Sequence, residues 1–129
     1  AYAARAGGDS HLPAPAPDGP PTAETLNPYA WHRDNSDRQL QPVARLQPNV
    51  FGLYDVLGNV SELVADTARP WPAIPDGEVD PYVYDYEGDR QWKGGDVRTP
   101  PTVMRVGDVG ATSTPHRGFR LARWLAPPE

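Results

Sequence analysis

Residues 48–63 read Pro48-Asn49-Val50-Phe51-Gly52-Leu53-Tyr54-Asp55-Val56-Leu57-Gly58-Asn59-Val60-Ser61-Glu62-Leu63, and no other stretch restricts the fold as much. Apolar side chains, two glycines, two asparagines and two carboxylates alternate there with neither the helical nor the strand period. A run of this kind keeps one shape only when the rest of the molecule holds it.

The composition around it points the same way. Seventeen prolines and twelve glycines in 129 residues place the chain where loops dominate regular elements. Four Trp, six Tyr and two Phe are spread along the sequence and supply anchors for a core, so the expectation is a loop-rich single domain. The net charge of −5 argues against nucleic acid, which needs clustered Lys and Arg. Lysine occurs once, at Lys93, and the one dense basic group is Arg117, Arg120 and Arg123. With no cysteine, neither a disulfide framework nor a thiolate metal site is available. No apolar run reaches the ~18 residues of a membrane span. The compartment is not legible.

Along the chain, residues 1–7 read as the end of a helix stopped by Gly7-Gly8. A Pro-rich loop over 8–23 follows, in which Leu12-Pro13-Ala14-Pro15-Ala16-Pro17 favours extended geometry and reads as a spacer. Residues 29–43 suggest a short strand, a polar turn at Asp34-Asn35-Ser36-Asp37 and a return. Val60, Leu63 and Val64 suit a helical turn and a short strand equally, and periodicity leaves the two open. Pro70-Trp71-Pro72 ends that element. Tyr82, Tyr84 and Tyr86 alternate among acidic residues, so in a strand they share a face. Lys93-Gly94-Gly95 marks a bend with close backbone approach, and Gly118–Leu125 reads as a closing strand.

Candidate chemistry is sparse. Asp55, Gly58, Asn59, Val60 and Glu62 offer two carboxylates and several carbonyls within eight positions, a donor set suited to calcium. The same two carboxylates also suit the capping of backbone N–H groups of a turn, which from the residues alone is the simpler reading. His11, His32 and His116 lie far apart without helical spacing, and read as surface or partly buried residues rather than as an iron site. No serine sits in a nucleophile elbow, and no phosphate-binding loop is present.

Residues 48–63 closely resemble the PNxFGLYDMxGNVWEW signature of the formylglycine-generating enzyme (sulfatase-modifying factor) family. Tyr2-Ala3-Ala4-Arg5-Ala6-Gly7, Tyr29-Ala30-Trp31, Pro42-Val43, Lys93-Gly94-Gly95 and Gly118-Phe119-Arg120 follow in the family's order. The resemblance implies an α+β, loop-rich, C-type-lectin-like fold of which residues 1–129 form the C-terminal half. It also implies calcium ligation by Asp55, Gly58, Val60 and Glu62, with Gly58 and Val60 acting through their carbonyls. A second calcium site maps to Asn35 and Asp37 with the backbone near Ala30-Trp31.

The family's oxidase chemistry uses two copper(I)-binding cysteines between its GGS and GFR motifs. Residues 96–117 hold none, and their single sulfur is Met104. One thioether does not replace a thiolate pair. No copper is therefore expected, and the chain reads as a non-catalytic pseudoenzyme, a binding or scaffold module within a larger assembly. The rival is a fragment of an active sulfatase-modifying or related iron-dependent oxidase whose catalytic residues lie outside these positions. Two departures stand out. Ser61 and Leu63 occupy tryptophan slots of the signature, and Gly94-Gly95-Asp96-Val97 replaces GGSW. The ligand-binding surface is expected on loops 76–96 with the neighbouring 97–117 segment, through Tyr82, Tyr84, Tyr86, Trp92 and Asp96. The partner is expected to be a protein or the N-terminal half of the same domain.

Overall fold

The computed structural model describes residues 2–7, 12–13, 16, 19–67, 90–106 and 115–122. The expectations for Tyr82, Tyr84, Tyr86, Pro70-Trp71-Pro72 and His11 lie outside these residues.

Helix α1 spans Tyr2–Arg5 and stops where Ala6 and Gly7 turn left-handed, with φ of +51° and +81°. Helix α2, Ala23–Leu26, was not evident from the apolar pattern. It is made by its cap: the Thr22 hydroxyl accepts the Thr25 N–H, and the Thr25 hydroxyl accepts the Thr22 N–H in return. Leu26 at its end is fully buried. Leu12, Ala16, Ala30, Leu57, Met104 and Val106 complete the core around it, with Ala4 and Tyr29 packed alongside. Leu12 and Pro13 are fully buried. The Pro-rich stretch therefore contributes to the core, which corrects its reading as a spacer.

Strand β1, Ser61–Thr67, is the centre of a three-stranded sheet ordered β2-β1-β3. Of the two conformations that suited residues 60–64, the strand prevails because both of its edges are paired. Strand β2, Arg90–Lys93, runs antiparallel to it, with Glu62 opposite Lys93 and Leu63 opposite Trp92. A bulge lies between Leu63 and Thr67. Strand β3, Arg117–Gly118, runs parallel to β1 with Ser61 opposite Arg117. Of the expected strand Gly118–Leu125, the described residues 119–122 are not in a strand and residues 123–125 lie outside the described residues. Among the described residues beyond β3, Phe119 and Leu121 are 74% and 90% exposed, so no second layer rewards continued pairing. The expected strand near Tyr29 is reduced to a single bridge, Trp31 to Gly58.

Much of the remaining architecture is loop backbone tied to loop backbone. After β2 the chain turns at Gly94 and Gly95, with φ of +92° and +70°, as the expected bend requires. The Gly58 N–H donates to the Gly94 carbonyl at 2.9 Å, and the Asn59 N–H to the Trp31 carbonyl at 2.9 Å. The Val97 N–H donates to the Asn59 carbonyl, and the Arg33 N–H to the Thr99 carbonyl. A 3-10 turn, Pro101–Val103, then packs against α2. Among the described residues no helix is long and apolar enough to cross a membrane.

Candidate functional site

The signature run is held by two asparagine side chains acting as pieces of backbone. The Asn49 amide nitrogen donates to the Ala3 and Ala4 carbonyls at the end of α1, while its oxygen accepts the Phe51 and Leu53 N–H groups. Asn59 does the same to Gln41: its oxygen accepts the Gln41 N–H at 3.1 Å and its nitrogen donates to the Gln41 carbonyl at 2.9 Å. Both asparagines are buried, so every polar group of the amide is matched where water cannot serve. By residue type and spacing Asn59 stands only among the candidate calcium donors, and Asn49 has no distinct role. The legible signal was the amide itself, which can both donate to and accept from a neighbouring backbone.

From this frame the chain runs into segment 97–115 and returns, and both ends are fixed. At the entry, buried Asp96 accepts the Arg98 N–H and the Thr99 hydroxyl through Oδ1. The Ser36 hydroxyl donates to the His32 carbonyl at 2.6 Å and shares that proton with the Val97 carbonyl at 3.2 Å. At the exit, the His116 carbonyl accepts the Ser61 N–H at 3.1 Å, and β3 pairs with β1. The two ends also meet directly, Asp96 Oδ2 lying 3.3 Å from His116 Nδ1. Between them Arg98, Thr102 and Val103 are exposed, while Pro101 and Met104 are buried. The two ends of the stretch are thus fastened to each other and to the signature run, while residues 107–114 lie outside the described residues.

Trp92 and Asp96 were expected to face a ligand. Trp92 is half-buried on β2, and the Arg117 guanidinium lies over its ring at 4.8 Å. That contact ties β2 to β3 across the sheet. Asp96 is 1% exposed and bonded within the chain, so it shapes the base of the segment rather than its outer surface. Its carboxylate, where the signature has serine, makes the bond to His116.

A family model, the sulfatase-modifying factor enzyme 1-like domain, matches residues 1–125. The chain belongs to that family. A solved structure, Treponema denticola variable protein 1, is similar at 31% identity with a TM-score of 0.67. The alignment covers 92% of this chain and 42% of that protein, so the chain spans less than half the length of its structural relative. No curated protein matches it.

Within this sulfatase-modifying-factor-like domain, the two carboxylates expected to ligate calcium already have partners within the chain. Glu62 receives the Arg120 guanidinium on both carboxylate oxygens, Nε donating to Oε2 at 2.6 Å and Nη2 to Oε1. Arg120 Nη2 also donates to the Tyr54 and Asp55 carbonyls, each at 3.1 Å. Glu62 pushes the already high pKa of Arg120 further up, chiefly through this hydrogen bond. Asp55 Oδ2 accepts the Ala44 N–H at 2.8 Å, the capping role that competed with calcium in the sequence reading. Its Oδ1 is buried without a partner. Gly58 serves as a contact point for Trp31, and Val60 lies against Gly118.

At the second mapped site, Asn35 turns inward. Its nitrogen donates to the Ala30 carbonyl and Asn27, and its oxygen accepts the His32 N–H. Asp37 is exposed with φ of +53°. Asn35 thus serves the turn, apart from Asp37. His32 is fully buried; its Nε2 bonds Asn27 Oδ1 at 2.9 Å and its Nδ1 accepts the Asp34 N–H. Among the described residues no group of three or more acidic or histidine side chains is placed to hold a metal ion.

Proposed function

We propose that this chain is a non-catalytic binding module of the sulfatase-modifying-factor family, in which the signature run holds a recognition surface instead of an oxidase centre. The observation that carries the reading is the fastening of residues 96–97 by Asn59, Ser36 and Asp96 and of residues 116–117 by Ser61 and His116. A fixed base decouples the outer residues from the fold, which suits a surface that meets a partner. Trp92 and the 76–96 loop, with Tyr82, Tyr84 and Tyr86, extend that surface in this reading. Tyrosine and tryptophan bring large contact area at low entropic cost.

The C-type-lectin-like architecture, and the place of residues 1–129 as its C-terminal half, belong to the same proposal. They are supported by the order of family motifs and by the share of the Treponema protein that is covered. That protein's name describes it as variable, which accords with a surface whose outer residues are free to change. The partner is a protein or the N-terminal part of the domain. Val43, Val50, Phe51 and Tyr54, all well exposed, provide apolar surface for it.

The absence of cysteine from the sequence supports the non-catalytic half of the reading. Incubation with copper and a peptide carrying the sulfatase motif is expected to yield no aldehyde; aldehyde above a protein-free control contradicts it. The binding half is tested by randomising Arg98, Thr102 and Val103 and selecting against an immobilised test protein such as lysozyme. Folded, binding clones are expected. A library in which most clones lose the folded state contradicts the proposal.

A further inference from the structure

The acceptors of the signature loop converge on a cation that belongs to the chain itself. Both oxygens of Glu62 and the consecutive carbonyls of Tyr54 and Asp55 are taken by one guanidinium, that of Arg120. Asp55 sits at φ of +51°, a left-handed kink at the point where the two carbonyls meet one donor. Asp55 Oδ2 is held by the Ala44 N–H. The carboxylate oxygen left open is Asp55 Oδ1. That leaves one carboxylate oxygen of the expected donor set without a partner in the chain, whereas a calcium ion takes about six to eight oxygens, water included.

We infer that Arg120 is the resident cation of the signature loop, a positioning residue that fastens the segment after β3 to the loop and makes loop order independent of divalent metal. The chemistry suits that part. A guanidinium is charged at every working pH and its planar fork matches a carboxylate in two parallel bonds, which an ammonium cannot do. Its remaining N–H capacity reaches the carbonyls, so charge neutralisation and backbone capping come from one side chain. The place in the chain matters too. Arg120 lies two residues beyond Gly118, where pairing with β1 ends. The fork therefore carries the attachment of this segment past the last strand bond, onto residues 54–55. The Arg120 side chain is 41% exposed and that of Glu62 22%, so salt screens the pair in part.

The test is thermal unfolding of the full-length protein in chelator and in millimolar calcium. The two midpoints are expected to agree within about 1 °C. A rise of several degrees with calcium, abolished by Glu62→Gln, overturns the inference without need of any Arg120 variant. Arg120→Gln is expected to lower the midpoint by roughly 5 °C, and Arg120→Lys to recover less than half of that loss. Adding Glu62→Gln to Arg120→Gln should cost little more, because the partner is already gone. An Arg120→Gln protein that melts like the wild type, or losses from the two changes that simply add, overturns it as well.

Discussion

A Cβ built on Gly58 would lie 2.2 Å from the Trp31 carbonyl oxygen, and the residue's φ is +75°. The signature needs glycine there for two independent reasons, backbone conformation and backbone contact. Gly58→Ala is expected to cost about 3 kcal/mol or more, read by denaturant unfolding. A loss below about 1 kcal/mol would show that Trp31 moves aside easily. Ser61 presents the opposite case. Its hydroxyl is fully buried without a hydrogen-bond partner, in a slot where the family signature has tryptophan. Ser61→Ala removes an unpaired polar group of similar size, and is expected to be neutral or stabilising by up to ~1 kcal/mol. A clear loss in the same experiment would reveal a partner for the hydroxyl. At this scale the sequence was legible where a residue type has one use, as with Gly94 and Gly95. It was opaque for Asn49, Asn59 and Arg120, whose value lies in partners tens of residues away.

The turn after α2 shows how an element without regular bonding is held. His32 Nε2 donates to Asn27 Oδ1 while Nδ1 accepts the Asp34 N–H, so the imidazole is neutral in this arrangement and protonation would set a proton against that N–H. Burial holds its pKa below the ordinary value of about 6.5, with Asp34 opposing. The folded state therefore binds the proton less readily than the unfolded chain. Stability from this site is full above pH ~6.5 and is lost as pH falls through the unfolded value toward the lower folded one. His32→Gln is expected to flatten that acid-side loss in a pH series of unfolding midpoints; an unchanged pH profile would assign the loss elsewhere. Of the elements themselves, the helix end at Gly7 and the bend after Lys93 could be read from glycine chemistry. Helix α2 was missed because its single buried leucine leaves no period to detect, and its Thr22–Thr25 cap is the stronger signal. The closing strand was overextended because alternation persists through Leu121 although pairing stops at Gly118.

At the scale of the whole molecule, motif order revealed more than periodicity did, since loops are joined here by side-chain amides and single backbone bonds instead of long ladders. Such joins leave no repeating pattern, yet they demand particular residues at particular places, which is what a motif records. In the proposed reading the molecule has a demanding base and permissive outer residues, Arg98, Thr102 and Val103 among them. Comparing unfolding midpoints of the full-length protein with changes in each part tests that division most directly. Substituting Arg98, Thr102 and Val103 together by alanine should shift the midpoint by no more than a few degrees, as exposed changes do. Asn59→Ala, which strands the Gln41 N–H and carbonyl, should cost about 2–4 kcal/mol and lower it far more. If instead the outer triple variant unfolds first and Asn59→Ala melts like the wild type, the segment is part of the fold's support, and the molecule is not a fixed base carrying a recognition surface.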